Sequence, residues 1–221
     1  MPVKNISDAE YREFFLKEKS INTNALLQAL DIRKYEIEHY WKRATYFWAF
    51  IAATFAGFIA IQTSSAIEKT DFSVLICSLG IVFSFGWYCV NRGSKFWQEN
   101  WEKHVDMLED NVNGPLYKVV LSRSKPIGFR QNLVHFITGP SDLSVSKINQ
   151  IISLYITVVW IGLLTYSLPK FSWNKDINCF YAFMIVLTIV TCISFFKLAK
   201  SYHGGYWHLA TIRTSSINNK K

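Results

Sequence analysis

The residues best placed to do chemistry lie in the run EKHVDMLE, where Glu102, His104, Asp106 and Glu109 bring an imidazole and three carboxylates within eight positions. On a helix, a metal pair or an acid–base pair needs i, i+3 or i, i+4 spacing so that both side chains share a face. His104 and Asp106 are two apart and diverge. Glu102 with Asp106, or Asp106 with Glu109, meets the spacing, but such carboxylate pairs are common on solvated helix faces. A second pair of imidazoles, His203 and His208 in YHGGYWH, flanks a Gly-Gly turn among aromatics. No GxxxxGKS, GxGxxG, GxSxG, HExxH or DxDxDG pattern occurs, so no catalytic, cofactor-binding or metal-binding residue is assigned. Aromatic anchoring at a membrane surface is the better reading of the histidine-flanked turn.

The elements that would carry these groups are set by where charge is missing. Four runs contain no Asp, Glu, Lys, Arg or His: residues 44–66, 72–90, 148–168 and 179–196. About 20 apolar residues cover a hydrocarbon core of roughly 30 Å. A soluble helix with a buried stripe would keep charges at the 3.6-residue period on its other face, and these runs keep none. The fold class is therefore all-α and polytopic, with four transmembrane helices. Tyr and Trp near the run ends, such as Tyr40, Trp48, Trp87 and Trp173, fit interfacial belts. Cys77, Cys89, Cys179 and Cys192 form no CxxC pair and read as packing residues. The polar, acidic start of the chain is not that of a cleaved signal peptide, which makes the first span the expected targeting signal.

Lys and Arg number eight before the first span, one in the outer loop 67–71, eight in 91–147, two in the outer loop 169–178 and five in the tail 197–221. That alternation places the N-terminus, the central segment and the C-terminus on the cytoplasmic side of the membrane. It also accounts for the net charge of +8. The basic residues set topology and face anionic lipid, and 13 acidic residues interleaved on the same side argue against nucleic acid as a partner.

Ser7 and Glu10 form a capping-box pattern ahead of a short amphipathic helix, which Ser20 to Thr23 interrupts. A second helix is expected from near Asn22 and runs unbroken into the first span, within a cytoplasmic region covering 1–43. The second span continues into the cytoplasm, where Trp97, Trp101, Val105, Leu108 and Val112 form an apolar ladder. Glu99, Glu102, Asp106, Glu109 and Asp110 lie mostly off it, giving a packed face and an acidic solvated one. Gly114 and Pro115 end that helix. From Leu116 to Asp142, the β-prone pieces LYKVVL and LVHFIT fit either a small hairpin or an irregular connector. Ser144 or Ser146 is expected to cap the third membrane helix, which Pro169 stops.

In the first span, Ala49, Ala53 and Gly57 fall in one four-residue register and Ala52, Ala56 and Ala60 in the next, giving a small-residue side suited to close helix contact within or between chains. Transport has less support. The spans hold no ionisable group, and four helices enclose too little volume for an alternating-access site.

The stretches YEIEHYWKRATYFWAFIAATFAGF, WYCVNRGSKFWQENWEKHVDMLEDNVNGPLYK and SVSKINQIISLY resemble the RipA-like family of small octameric bacterial cytoplasmic-membrane proteins. The resemblance implies a homo-octamer in the inner membrane. Its signature stretch maps onto Asn91, Arg92, Gly93, Trp97, Asn100, Trp101, Glu102, His104, Asp106, Glu109, Gly114, Pro115 and Tyr117. Of these, Arg92, Trp97, Trp101, His104, Asp106 and Tyr117, with Leu108 beside them, are the candidate interface to other subunits or partners, with Arg92 and Lys95 positioned to pair with Glu99 and Glu102 between subunits. The expected function is non-enzymatic: an oligomeric scaffold or sensor that binds itself, the bilayer and another cytoplasmic or membrane protein. The alternatives are an oligomeric channel or membrane-perturbing effector in stress or phage defence, and an enzyme with a site between subunits near His104.

Overall fold

The structure is a computed structural model that describes residues 5–122, 127–169 and 178–201. Among them there are six α-helices and no strand: α1 Asp8–Phe15, α2 Lys19–Thr63, α3 Lys69–Leu108, α4 Phe129–Thr138, α5 Val145–Ser167 and α6 Cys179–Lys197. Four of these, α2, α3, α5 and α6, are long and apolar enough to cross a membrane. The second outer loop and the His203–His208 turn lie almost wholly outside the described residues.

α2 and α3 dominate the fold. At 1.5 Å per residue, the 45 residues of α2 extend about 68 Å and the 40 of α3 about 60 Å, far more than the roughly 30 Å of a hydrocarbon core. They form one antiparallel hairpin. Its buried positions recur at alternating steps of three and four: Asn22, Leu26, Ala29, then Tyr40, Ala44, Ile51, Thr54 and Phe58 on α2, and Cys77, Ile81, Ser84 on α3 continuing through Asn91, Ser94, Gln98, Val105 and Leu108. A 3.5-residue seam of this kind keeps two helices in contact over many turns. α2 starts at Lys19, ahead of the expected Asn22, because Ser20 to Thr23 continue the helix, with Asn22 already buried in its first turn.

α3 is also the axis of the membrane bundle, since α5 and α6 both pack on it. α5 runs antiparallel to α3, with Asn149 beside Asn91 and Thr157 beside Ser84, whose hydroxyls are 3.0 Å apart. α6 runs parallel to α3, from the Tyr181 hydroxyl donating to Asp71 Oδ1 at 2.6 Å to Phe195 stacked on Phe85. Lipid supplies little hydrophobic drive between helices, so close fit and internal polar ties must hold them. Thr54, Ser84, Thr157 and Thr188 return their hydroxyls to carbonyls one turn back. Gly80 lets α5 approach: a Cβ there would lie 2.2 Å from the Trp160 ring.

Capping follows the sequence. The Ser7 hydroxyl accepts from the Glu10 N–H while the Glu10 carboxylate accepts from Ser7 N–H, and Ser144 caps α5. The hairpin alternative for residues 116–142 is overturned, because LVHFIT lies within the helix α4.

Candidate functional site

The residues singled out by type and spacing gather at the end of the α2–α3 hairpin away from the candidate spans. Leu26 and Ala29 of α2 meet Val105 and Leu108 of α3 in a small core, with Tyr11, Phe15 and Trp101 packed against it. This end lies beyond the four charge-free runs, among charged residues. Each fully buried aliphatic side chain there contributes on the order of 1.5–3 kcal/mol. α1 folds back as a clasp: the Tyr11 hydroxyl is 2.8 Å from His104 Nδ1, with Phe15 and Trp101 rings 6.3 and 5.4 Å from the imidazole. Burial raises the Tyr11 pKa above 10.0 and lowers the His104 pKa below 6.5, so at neutral pH an uncharged phenol and an uncharged imidazole share this hydrogen bond. Beside the clasp runs a groove of about 610 Å³, walled by Phe15, Ile21, Ala25, Ile32 and Trp101.

His104 is therefore a packing and hydrogen-bonding group. Asp106, two residues on, is half-buried and takes no part in these contacts. Among the described residues no three His, Cys, Asp or Glu side chains come close enough to hold a metal ion.

Two assignments on the α3 ladder are corrected. Trp97 is not on the buried seam. Its neighbour Gln98 is, and the Trp97 indole N–H instead donates to Ser201 Oγ at 3.2 Å. Two successive four-residue steps, 97 to 101 to 105, drift away from a seam that alternates three and four. Glu109 is not on the solvated acidic face. It is 1% exposed, and its Oε2 accepts the Tyr117 N–H at 2.8 Å. The chain turns at Gly114, whose φ of 69° suits glycine, and comes back over the end of α3. Tyr117 then lies under the Arg33 guanidinium, 5.2 Å from ring centre to Cζ, which ties the turn to α2. The polar backbone of NVNGPLY, folded against a helix end that needs capping, is the sequence signal for a buried acceptor at 109.

Lys95, Arg33, Glu99 and Glu102 pair within the chain. Lys95 reaches Glu102 at 3.4 Å and Glu99 at 3.7 Å, and Arg33 approaches Glu102 at 3.9 Å. Arg92 is exposed, its guanidinium 5.7 Å from the Tyr88 ring centre. The small-residue side of α2 faces outward: Ala49, Ala52, Ala53, Ala56 and Ala60 are exposed, while Gly57 is half-buried against Ile76 of α3.

Four candidate spans, two of them prolonged into a helical hairpin with its own core, define a polytopic α-helical membrane protein with a clasped extramembrane domain. The chain belongs to the octameric membrane protein family, 8xMP, whose sequence model matches residues 24–169, from the second turn of α2 to just past the end of α5. That span contains the three stretches that carry the RipA-like resemblance. No curated protein and no solved structure matches the chain.

Proposed function

We propose that this protein is a non-enzymatic homo-octameric scaffold or sensor of the bacterial inner membrane, with both termini and the α1–α2–α3 domain in the cytoplasm. The observation that carries the reading is the continuity of α2. Its 25 residues before Ala44 project about 38 Å beyond the membrane span without a break, and the part of α3 after Val90 projects about 27 Å. A rigid rod of this kind transmits position between a membrane assembly and a surface that partners can meet. The alternation of Lys and Arg supports the orientation. The exposed small-residue side of α2 supplies a surface along which neighbouring subunits can approach closely.

A ring of eight subunits could also enclose a conduit, so conduction is the reading to test against. The protein is reconstituted into liposomes holding a potassium gradient, and release is followed with a potassium-sensitive dye. The scaffold reading expects release no faster than from protein-free liposomes. Protein-dependent release that scales with the amount of octamer overturns it in favour of the channel.

A further inference from the structure

Helix α4 stands apart from the other described helices. Every residue of Phe129–Thr138 is exposed, and α4 shares no packed interface with another helix, yet it is strongly two-sided. Phe129, Leu133, Phe136 and Ile137 follow the i, i+4, i+7, i+8 spacing of a single face, with Phe129 85% and Phe136 88% exposed. Gln131, His135 and Thr138 occupy the opposite side, and Arg130 and Val134 lie along the edge between them. Four large apolar side chains on ten residues are too many to leave in water.

Two observations say what covers that face. Between Asp110 and Asp142 the sequence holds no acidic residue and, besides Lys118, which pairs with Asp110 at 2.6 Å, has the cations Arg123, Lys125 and Arg130. Only six residues separate Thr138 from Val145, where α5 begins, so α4 is held at the surface where that membrane helix starts. An apolar face with basic flanks, tethered at the bilayer boundary, has the composition of a helix lying in the membrane interface. There it sinks its apolar side to the acyl boundary while Lys and Arg meet anionic headgroups.

We propose that α4 is an interfacial lipid-binding helix, seated on the anionic leaflet from which α5 enters the membrane. In the orientation proposed above, that is the cytoplasmic leaflet. α4 thereby fixes the long connector between the hairpin and α5 to the bilayer plane.

The test replaces Phe136 with the photoreactive p-benzoylphenylalanine, whose added benzoyl group has room because Phe136 is 88% exposed among the described residues. The full-length octamer is reconstituted into vesicles of phosphatidylcholine and phosphatidylglycerol and irradiated. The same substitution at Phe183, an exposed position in the α6 span, sets the yield for a side chain facing lipid. A mass increase of one phospholipid at position 136, within about threefold of the yield at 183, is the expected result for an interfacial helix. Adding Phe129→Glu and Leu133→Glu should lower that yield at least about fivefold while the bundle stays intact. A covalent dimer of two copies, or no adduct at 136 when 183 labels, overturns the proposal. Both faces of these vesicles carry anionic lipid, so the outcome does not depend on orientation. Nor does it depend on whether the octamer conducts.

Discussion

At the residue scale, the imidazole at 104 defines a hydrogen bond and not a reaction, because its Nδ1 is already held by Tyr11 and its ring by two aromatics. The sign of its titration follows. Docking of α1 buries His104 and depresses its pKa below 6.5, so the undocked state binds more protons at low pH. The clasp is at full strength above 6.5 and weakens as pH falls through the depressed value. Hydrogen exchange on the amides of 8–15 should therefore be slow near pH 7.5 and, after correction for intrinsic rates, markedly faster near pH 5. His104→Phe, which keeps the ring packing and removes the titration, should abolish that difference. A difference that persists in the variant would place the pH sensitivity elsewhere. Glu109 shows the limit of reading single residues: its charge suggests solvent, and only the return of the chain through Gly114 supplies the Tyr117 amide that lets it be buried.

At the element scale, the four spans and the long extensions of α2 and α3 were legible, because absence of charge over a bilayer's thickness is a strong signal and an apolar seam repeats many times along a long helix. α4 was not. Val134, Ile137 and Thr138 are β-branched, and a ten-residue element offers too few repeats to separate period 3.6 from period 2. The corrected seam also identifies where α3 is most sensitive. Gly80 faces Trp160, which is fully buried and stacked on Phe55 at 4.3 Å, so the indole has no room to yield. Gly80→Ala should force α5 away from α3 and cost about 1–3 kcal/mol. A fall in the thermal midpoint of the detergent-solubilised protein measures it. Trp160→Leu in the same chain should recover part of that loss, and a double-mutant cycle showing simple additivity would refute the contact as the cause.

At the scale of the whole molecule, the question is what an octamer of such chains uses for contact. Within one chain the apolar surfaces of α3 are largely consumed by α2, α5 and α6, whereas α2 keeps an outer side of alanines that stays exposed among the described residues. A subunit neighbour gains more there than lipid does. Alanine lets two backbones approach and exchange dispersion contacts along several turns, whereas acyl chains gain little from a smooth face. If this side is the seam between subunits, enlarging it must break the assembly without disturbing the fold of the protomer. Ala53→Leu with Ala56→Leu should cost about 1–3 kcal/mol at each interface of the ring. Because every subunit carries the change, the penalty is repeated around a closed assembly, and particles smaller than octamers should dominate by native mass spectrometry. Helical content should be unchanged. The same pair of changes at Val186 and Val190, exposed on the α6 span, should leave the octamer in place. Octamers that survive at 53 and 56 but fall apart at 186 and 190 would move the seam to α6, and with it the direction in which the extended hairpins lean on one another.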